Sequence, residues 1–232
     1  MQSISKPVQL FPPESLSRLL LQWGIGPVSP PPAPPAARLG SWLGWADAIK
    51  ISQVLNTPSG SAASEAARIE AMDWATGELE QLQAQLALSF TLSVNHTELA
   101  SGSESIGDTA VLAELLAPYL QQLVQQQRVI ASRVSAFRAR LRDRLASASD
   151  ELARMAQLDE YIERALAAPE RHAMTGLSAL LAMRARKHHA ADPRRWRPRL
   201  CSDLQRLLRA ELDQRLQPVL GLIEALSTKS LP

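Results

Sequence analysis

Apolar residues recur at intervals of three and four along most of this chain, the period of a helix with one buried face. Leu16, Leu19, Leu20 and Trp23 form the first such stripe, which predicts a short helix opening near Glu14 and stopping at Gly24. Leu39, Trp42, Leu43, Ala46 and Ile49 mark a second helix over about 38–55. Trp45, Ile51 and Leu55 widen its apolar face, so cover on more than one side is expected. A third helix is expected from about 62 to 90, with Ile69, Met72, Ala75, Leu79, Leu82, Leu86 and Phe90 inward. A fourth starts near Asp108, breaks or restarts at Pro118, and ends near Ala146. Its Leu116, Leu120, Leu123, Gln127, Ile130, Val134, Phe137 and Leu141 step by four and three, a heptad seam with one polar member, Gln127. Ser147 and Ser149 are N-cap candidates for a fifth helix, whose inward face is Leu152, Met155, Leu158, Ile162 and Leu166. Pro169 suits the first turn of a sixth, with Met174, Leu177, Leu180 and Leu181 inward. The last helix, about 198–226, is lined by Leu204, Leu208, Leu212, Leu216, Val219, Ile223 and Leu226. Pro218 is expected to kink it near Gln214.

The stretches between these stripes organise the chain. Residues 1–36 read as the first helix followed by a Pro-rich linker, "GPVSPPPAPPAAR", extended and polyproline-like. Residues 37–92 read as a helical hairpin, and 93–107 as a polar Gly/Ser-rich loop. Residues 108–227 read as a C-terminal bundle packed with 37–92 as one domain. The expected fold class is all-α: an elongated antiparallel bundle of about six to seven helices with one long heptad-patterned helix. Composition agrees, since Ala, Leu, Arg, Gln and Glu dominate, and their side chains lose little freedom in a helix.

Charge adds an asymmetry. The net formal charge is +2. Residues 1–116 hold 5 Lys/Arg and 11 Asp/Glu, and residues 117–232 hold 20 and 12. Either an acidic half packs on a basic half, or the basic half meets an acidic partner or nucleic acid. Arg138, Arg140, Arg142 and Arg144 are like-charged at i, i+4, and the acidic helix with Glu65, Glu70, Asp73, Glu78 and Glu80 is the expected neutralising neighbour. The one cysteine, Cys201, excludes an intrachain disulfide and a cysteine zinc cluster. With no secretory pattern at the N-terminus and no long apolar run, the expectation is a cytoplasmic protein without membrane insertion.

Catalytic signatures are absent. His188 and His189 are adjacent, so they point about 100° apart and do not make a metal-binding pair on a helix. His172 and Cys201 lack the flanking motif of a base and nucleophile, and Cys201 reads as a small apolar helix residue. No phosphate loop, GxSxG or HExxH is found. The expectation is no enzyme, no metal and no cofactor. Two stretches stand out instead. "SWLGWADAI" carries Trp42 and Trp45 beside Asp47; Trp42 reads as a core wedge, and Trp45 as a partner contact. The three form the candidate partner site. The second stretch, from Arg184 to Arg199, holds Arg184, Arg186, Lys187, Arg194, Arg195, Trp196, Arg197 and Arg199. The cations could grip phosphates while Trp196 stacks on a base. The plainer alternative is a solvated helix end, where cations meet the macrodipole favourably.

"SWLGWADAIKISQVLN" near the front and "RAELDQRLQPVLGLIEAL" at the end, joined by a long Arg-rich helix, resemble a proteobacterial family of domains of unknown function. The resemblance covers about residues 10–226. It rests on Trp42, Leu43, Gly44, Trp45, Asp47 and Ala48, then on Glu211, Leu212, Arg215, Leu216, Pro218 and Gly221. It implies no established activity. It implies gene neighbours encoding a long coiled-coil membrane protein and an OmpA-like protein, and hence an accessory part in an envelope-linked assembly. The expected function is a non-enzymatic helical interaction protein, an adaptor or structural subunit with a protein partner or a second copy of itself. Nucleic-acid binding through 184–199 is the alternative.

Overall fold

The computed structural model describes residues 15–25, 45–57, 60, 63–100 and 109–227. Among these residues every regular element is a helix, and there are six: α1 Leu16–Gln22, α2 Trp45–Asn56, α3 Glu65–Ala100, α4 Thr109–Ala148, α5 Asp150–Ala191 and α6 Trp196–Ser227. Most of the Pro-rich linker, with Leu39, Trp42 and Leu43, lies outside the described residues.

Local chemistry sets the boundaries. Ser15 caps α1 by accepting from the Arg18 amide at 3.2 Å. Gly24 ends it at φ 81°, a left-handed conformation that side chains resist. The Ile25 amide donates to Leu20 and the Gly24 amide to Leu21, the paired bonds of a Schellman stop. Ser64 caps α3 through the Ala67 amide, and Ser149 caps α5 through the Leu152 amide, each at 3.2 Å. Ser147 instead donates back to the Arg144 carbonyl.

Two expected breaks, at Pro118 and Pro169, are absent. Pro118, Pro169 and Pro218 lie inside continuous helices. A proline there loses one backbone bond and costs about 3 kcal/mol. Burial outweighs this around Pro169, where Leu152 before it and Leu177, Leu180 and Leu181 after it are buried, each worth roughly 1.5–3 kcal/mol. The fifth and sixth predicted helices are therefore one, α5. The loop expected from residue 93 also yields, because α3 continues to Ala100. Its polar residues are weak helix formers but none is a breaker, and the next glycine is Gly102.

The chain divides into two compact units, one from Met1–Ile25, Glu80–Arg133 and Met174–Arg215, the other from Gly26–Leu79, Val134–Ala173 and Leu216–Pro232. Each takes one stretch from each of α3, α4, α5 and α6, plus one short helix.

In the first unit α3 and α4 run antiparallel, with Gln85 bonded to Arg133 and Ser89 to Gln126. Its core holds Phe90, Leu116, Leu123, Ile130, Leu181, Leu200, Leu204 and Leu208. α1 is seated on it by Leu19 and Trp23, both buried, and by a bond from Arg206 to Gln22. In the second unit α3 and α4 are again antiparallel, through Glu78–Arg140 and Glu70–Arg144. Ala75, Leu79, Phe137, Leu141, Leu145, Leu152, Val219 and Leu226 are buried there, and Trp74 meets Phe137 with ring centroids 6.1 Å apart.

The heptad seam of α4 is buried at Leu116, Leu123, Ile130, Val134, Phe137 and Leu141. At one step Tyr119 turns inward in place of Leu120. Ile69 is 46% exposed, against expectation, because Arg68 is buried beside it to reach Glu151 at 3.0 Å. Adjacent helix positions point about 100° apart, and the rotation that turns Arg68 inward leaves Ile69 toward solvent. On α5 the inward line is Leu152, Ala156 and Asp159, which leaves Met155, Leu158, Ile162 and Leu166 half-buried. On α2 Val54 faces in, while Ile49 and Leu55 are exposed, so no described residue covers the outer side of this helix.

Candidate functional site

The candidate partner segment begins on α2. Trp42 lies outside the described residues, and Trp45 opens the helix. Asp47, in the first turn, is half-buried and sits where a negative charge meets the positive helix end favourably. Val54 and Ile51 hold α2 from below. Lys50 reaches over the Tyr161 ring at 5.8 Å. The outer side carries Ile49, 40% exposed, and Leu55, 64% exposed. Ile49, Ser52, Gln53, Asn56 and Thr57 line a shallow open depression of about 550 Å³.

The basic stretch is split by the structure. Arg184 is directed inward: its Nε donates to Asp203 at 2.7 Å, and its guanidinium lies 5.0 Å over the Trp23 ring. His188 Nε2 lies 2.7 Å from the same Asp203 oxygen, which requires the proton on that nitrogen. Trp196 is only 3% exposed, packed 6.2 Å from Tyr119 and 6.0 Å from His189, with Arg197 over its ring at 5.6 Å. A buried ring cannot stack on a base, so the role expected of Trp196 is withdrawn. The cause is that Trp196 is the first residue of α6 and shares its inward face with Leu200 and Leu204. Arg186, Lys187, Arg194, Arg195 and Arg199 remain at the surface.

Of the candidate chemistry, His172 is exposed and Cys201 is buried. Among the described residues no group of three or more His, Cys, Asp or Glu side chains is arranged to hold a metal ion.

The densest polar chemistry joins the Arg138–Arg144 cluster to acids of α5. Arg138 grips Asp159 with two parallel bonds, Nε to Oδ2 at 2.7 Å and one terminal nitrogen to Oδ1 at 2.6 Å. Arg142 bridges Asp159 at 2.9 Å and Glu163 at 2.6 Å. Burial opposes the Arg142 charge, but its bonds to Glu163 and Asp159 outweigh burial and hold its pKa above the usual arginine value. Two members of the Arg138–Arg144 cluster thus pair with α5, and only Arg140 and Arg144 pair with the acidic α3, half of the expected arrangement. In the first unit Glu211 is fully buried, accepting from Gln127 at 2.9 Å and Arg215 at 3.0 Å. A signal for it existed: Glu211 stands three and four positions after Leu208 and Leu207, on the apolar stripe of α6.

These networks lock helices together. No helix among the described residues is long and apolar enough to cross a membrane. No curated protein and no solved structure matches the chain. Residues 4–228 match the family model described as "Protein of unknown function (DUF3348)", so the chain belongs to the DUF3348 family over nearly its whole length.

Proposed function

We propose that this protein is a non-enzymatic helical interaction protein, an adaptor or structural subunit of a larger assembly in the cytoplasm. The observation that carries this reading is the outer side of α2. A helix anchored by Val54 leaves Ile49 and Leu55 exposed beside an open depression, four positions beyond Trp45. Large apolar side chains held in fixed positions on a helix gain from being covered, at roughly 25 cal/mol per Å². The buried ion networks support the same reading, because they stiffen the scaffold that presents α2. A reducing environment suits a chain whose single cysteine, Cys201, forms no disulfide, and this supports the cytoplasm. The gene neighbours that the family resemblance implies fit an envelope-linked assembly.

The test is affinity purification of the tagged full chain from its native cell, beside the double variant Ile49→Asp, Leu55→Asp. A partner, or a second copy, recovered in fixed ratio with the wild type and lost with the variant is the expected result. A strict monomer with no fixed-ratio partner, or a partner retained by the variant, refutes the reading.

Nucleic-acid binding is the second reading, favoured by the five exposed cations of residues 186–199. The burial of Trp196 removes its stacking platform and leaves only phosphate contacts.

A further inference from the structure

Five cations crowd the corner where α5 passes into α6: Arg186, Lys187, Arg194, Arg195 and Arg199. All are exposed, and none of their side chains has a hydrogen bond or ion pair with another described residue. Six other arginines are neutralised. Arg68, Arg138, Arg140, Arg142, Arg144 and Arg184 each hold a carboxylate. The one acid in the corner, Asp192, accepts from the Arg194 backbone amide and shapes the turn.

Helix-end electrostatics accounts for only part of this. Arg186 and Lys187 lie near the C-terminus of α5, whose negative end favours them. Arg194, Arg195 and Arg199 lie at the N-terminus of α6, whose positive end opposes them, and no acid stands in its first turn. Positive charge gathered against a positive helix end is stabilised when an external anion arrives.

The adjoining surface identifies the kind of anion. Met183, Arg186, Lys187 and Ala190 are all exposed and fall within about 100° of the α5 surface. Met183 is 45% exposed, a long flexible apolar side chain directly beside the charges. A phosphate backbone has no use for an apolar stripe, and the one tryptophan of the stretch is buried. A stripe with an apolar centre and a cationic rim complements an amphipathic helix with an acidic border.

We infer that the corner formed by the end of α5 and the start of α6 docks an acidic amphipathic helix of a partner protein. Apolar side chains of that helix cover Met183 and Ala190, and its carboxylates meet Lys187, Arg194, Arg195 and Arg199. The inference rests on the interaction-protein reading but uses a different surface from α2.

The test uses the full chain and fluorescence anisotropy with three labelled probes. One is a stapled helical peptide with leucines at three-four spacing bordered by glutamates. The second is the same peptide with lysines for the glutamates, and the third is a short duplex DNA. The glutamate peptide binds, weakens as salt rises, and loses about tenfold or more in affinity with Lys187→Glu, Arg195→Glu. Met183→Ser weakens it several-fold with unchanged salt dependence, and the lysine peptide does not bind. Circular dichroism of the variants matches the wild type, since all three positions are exposed. The inference is overturned if the glutamate peptide fails to bind, if charge reversal leaves its affinity unchanged, or if duplex DNA binds more tightly and is the probe lost on reversal. If these failures occur while the α2 variant still loses its partner, this inference falls and the interaction-protein reading stands.

Discussion

Replacing Asp159 with alanine probes the most heavily invested polar contact in the molecule. Asp159 is 8% exposed and accepts two bonds from Arg138 and one from Arg142. The Arg138 side chain is itself only 7% exposed, so water cannot replace the lost carboxylate without local opening. Hydrogen bonds to charged groups contribute about 1.5–3 kcal/mol each, which puts three near 4.5–9 kcal/mol if they simply added. They do not add, because Glu163 remains. It already touches Arg142 at 2.6 Å and lies 3.8 Å from Arg138, so it can take up part of the orphaned charge. Breaking one side of a buried pair costs about 3–5 kcal/mol, and that range is the expected loss here. At about 2–4 °C per kcal/mol for a chain of this size, the melting temperature drops by roughly 6–20 °C. The assay is urea and thermal unfolding followed by far-ultraviolet circular dichroism, with tryptophan fluorescence as a second probe of the same transition. Asp159→Asn should lose less, because its amide oxygen still accepts. Arg138→Met combined with Asp159→Leu should recover much of the loss, since no unpaired charge stays buried. A loss below about 1 kcal/mol for Asp159→Ala would refute the burial argument.

Three further outcomes follow from the same contacts. Glu211→Ala leaves Gln127 and Arg215 facing an empty position and should cost about 3 kcal/mol in urea unfolding, with Glu211→Gln milder because it still bonds Gln127. Trp23→Ala removes the anchor of α1 and the ring under Arg184; hydrogen exchange should quicken at residues 19–25, with the α4 amides keeping their protection. Leu123→Ala, at a fully buried seam position, should destabilise by about 2–5 kcal/mol, against less than about 0.5 kcal/mol for the exposed Val124→Ala in the same unfolding assay.

Helix periodicity, the cap at Ser149, the stop at Gly24 and the buried seam from Leu116 to Leu141 could all be read along the chain. Each depends on residues within a few turns of one another, where spacing alone sets which side chains share a face. The same logic failed at Pro118, at Pro169 and at residue 93, where local propensity worth at most about 3 kcal/mol per residue competes with burial spread over a whole helix. It failed again at Ile69 and along α5, because the rotation of a helix is set by what it meets. Arg68 and Asp159 turn inward only because Glu151 and Arg138, 83 and 21 residues away in sequence, arrive to receive their charges. Trp196 shows the cost of reading a motif by composition, since a ring among arginines looks like a nucleic-acid contact until α6 folds it under Tyr119. The linear sequence carries the helices and most of their apolar faces. Which charges pair, which stay free at the α5–α6 corner, and which rings are hidden are decided by distances between segments, because burying a charge is affordable only beside its opposite.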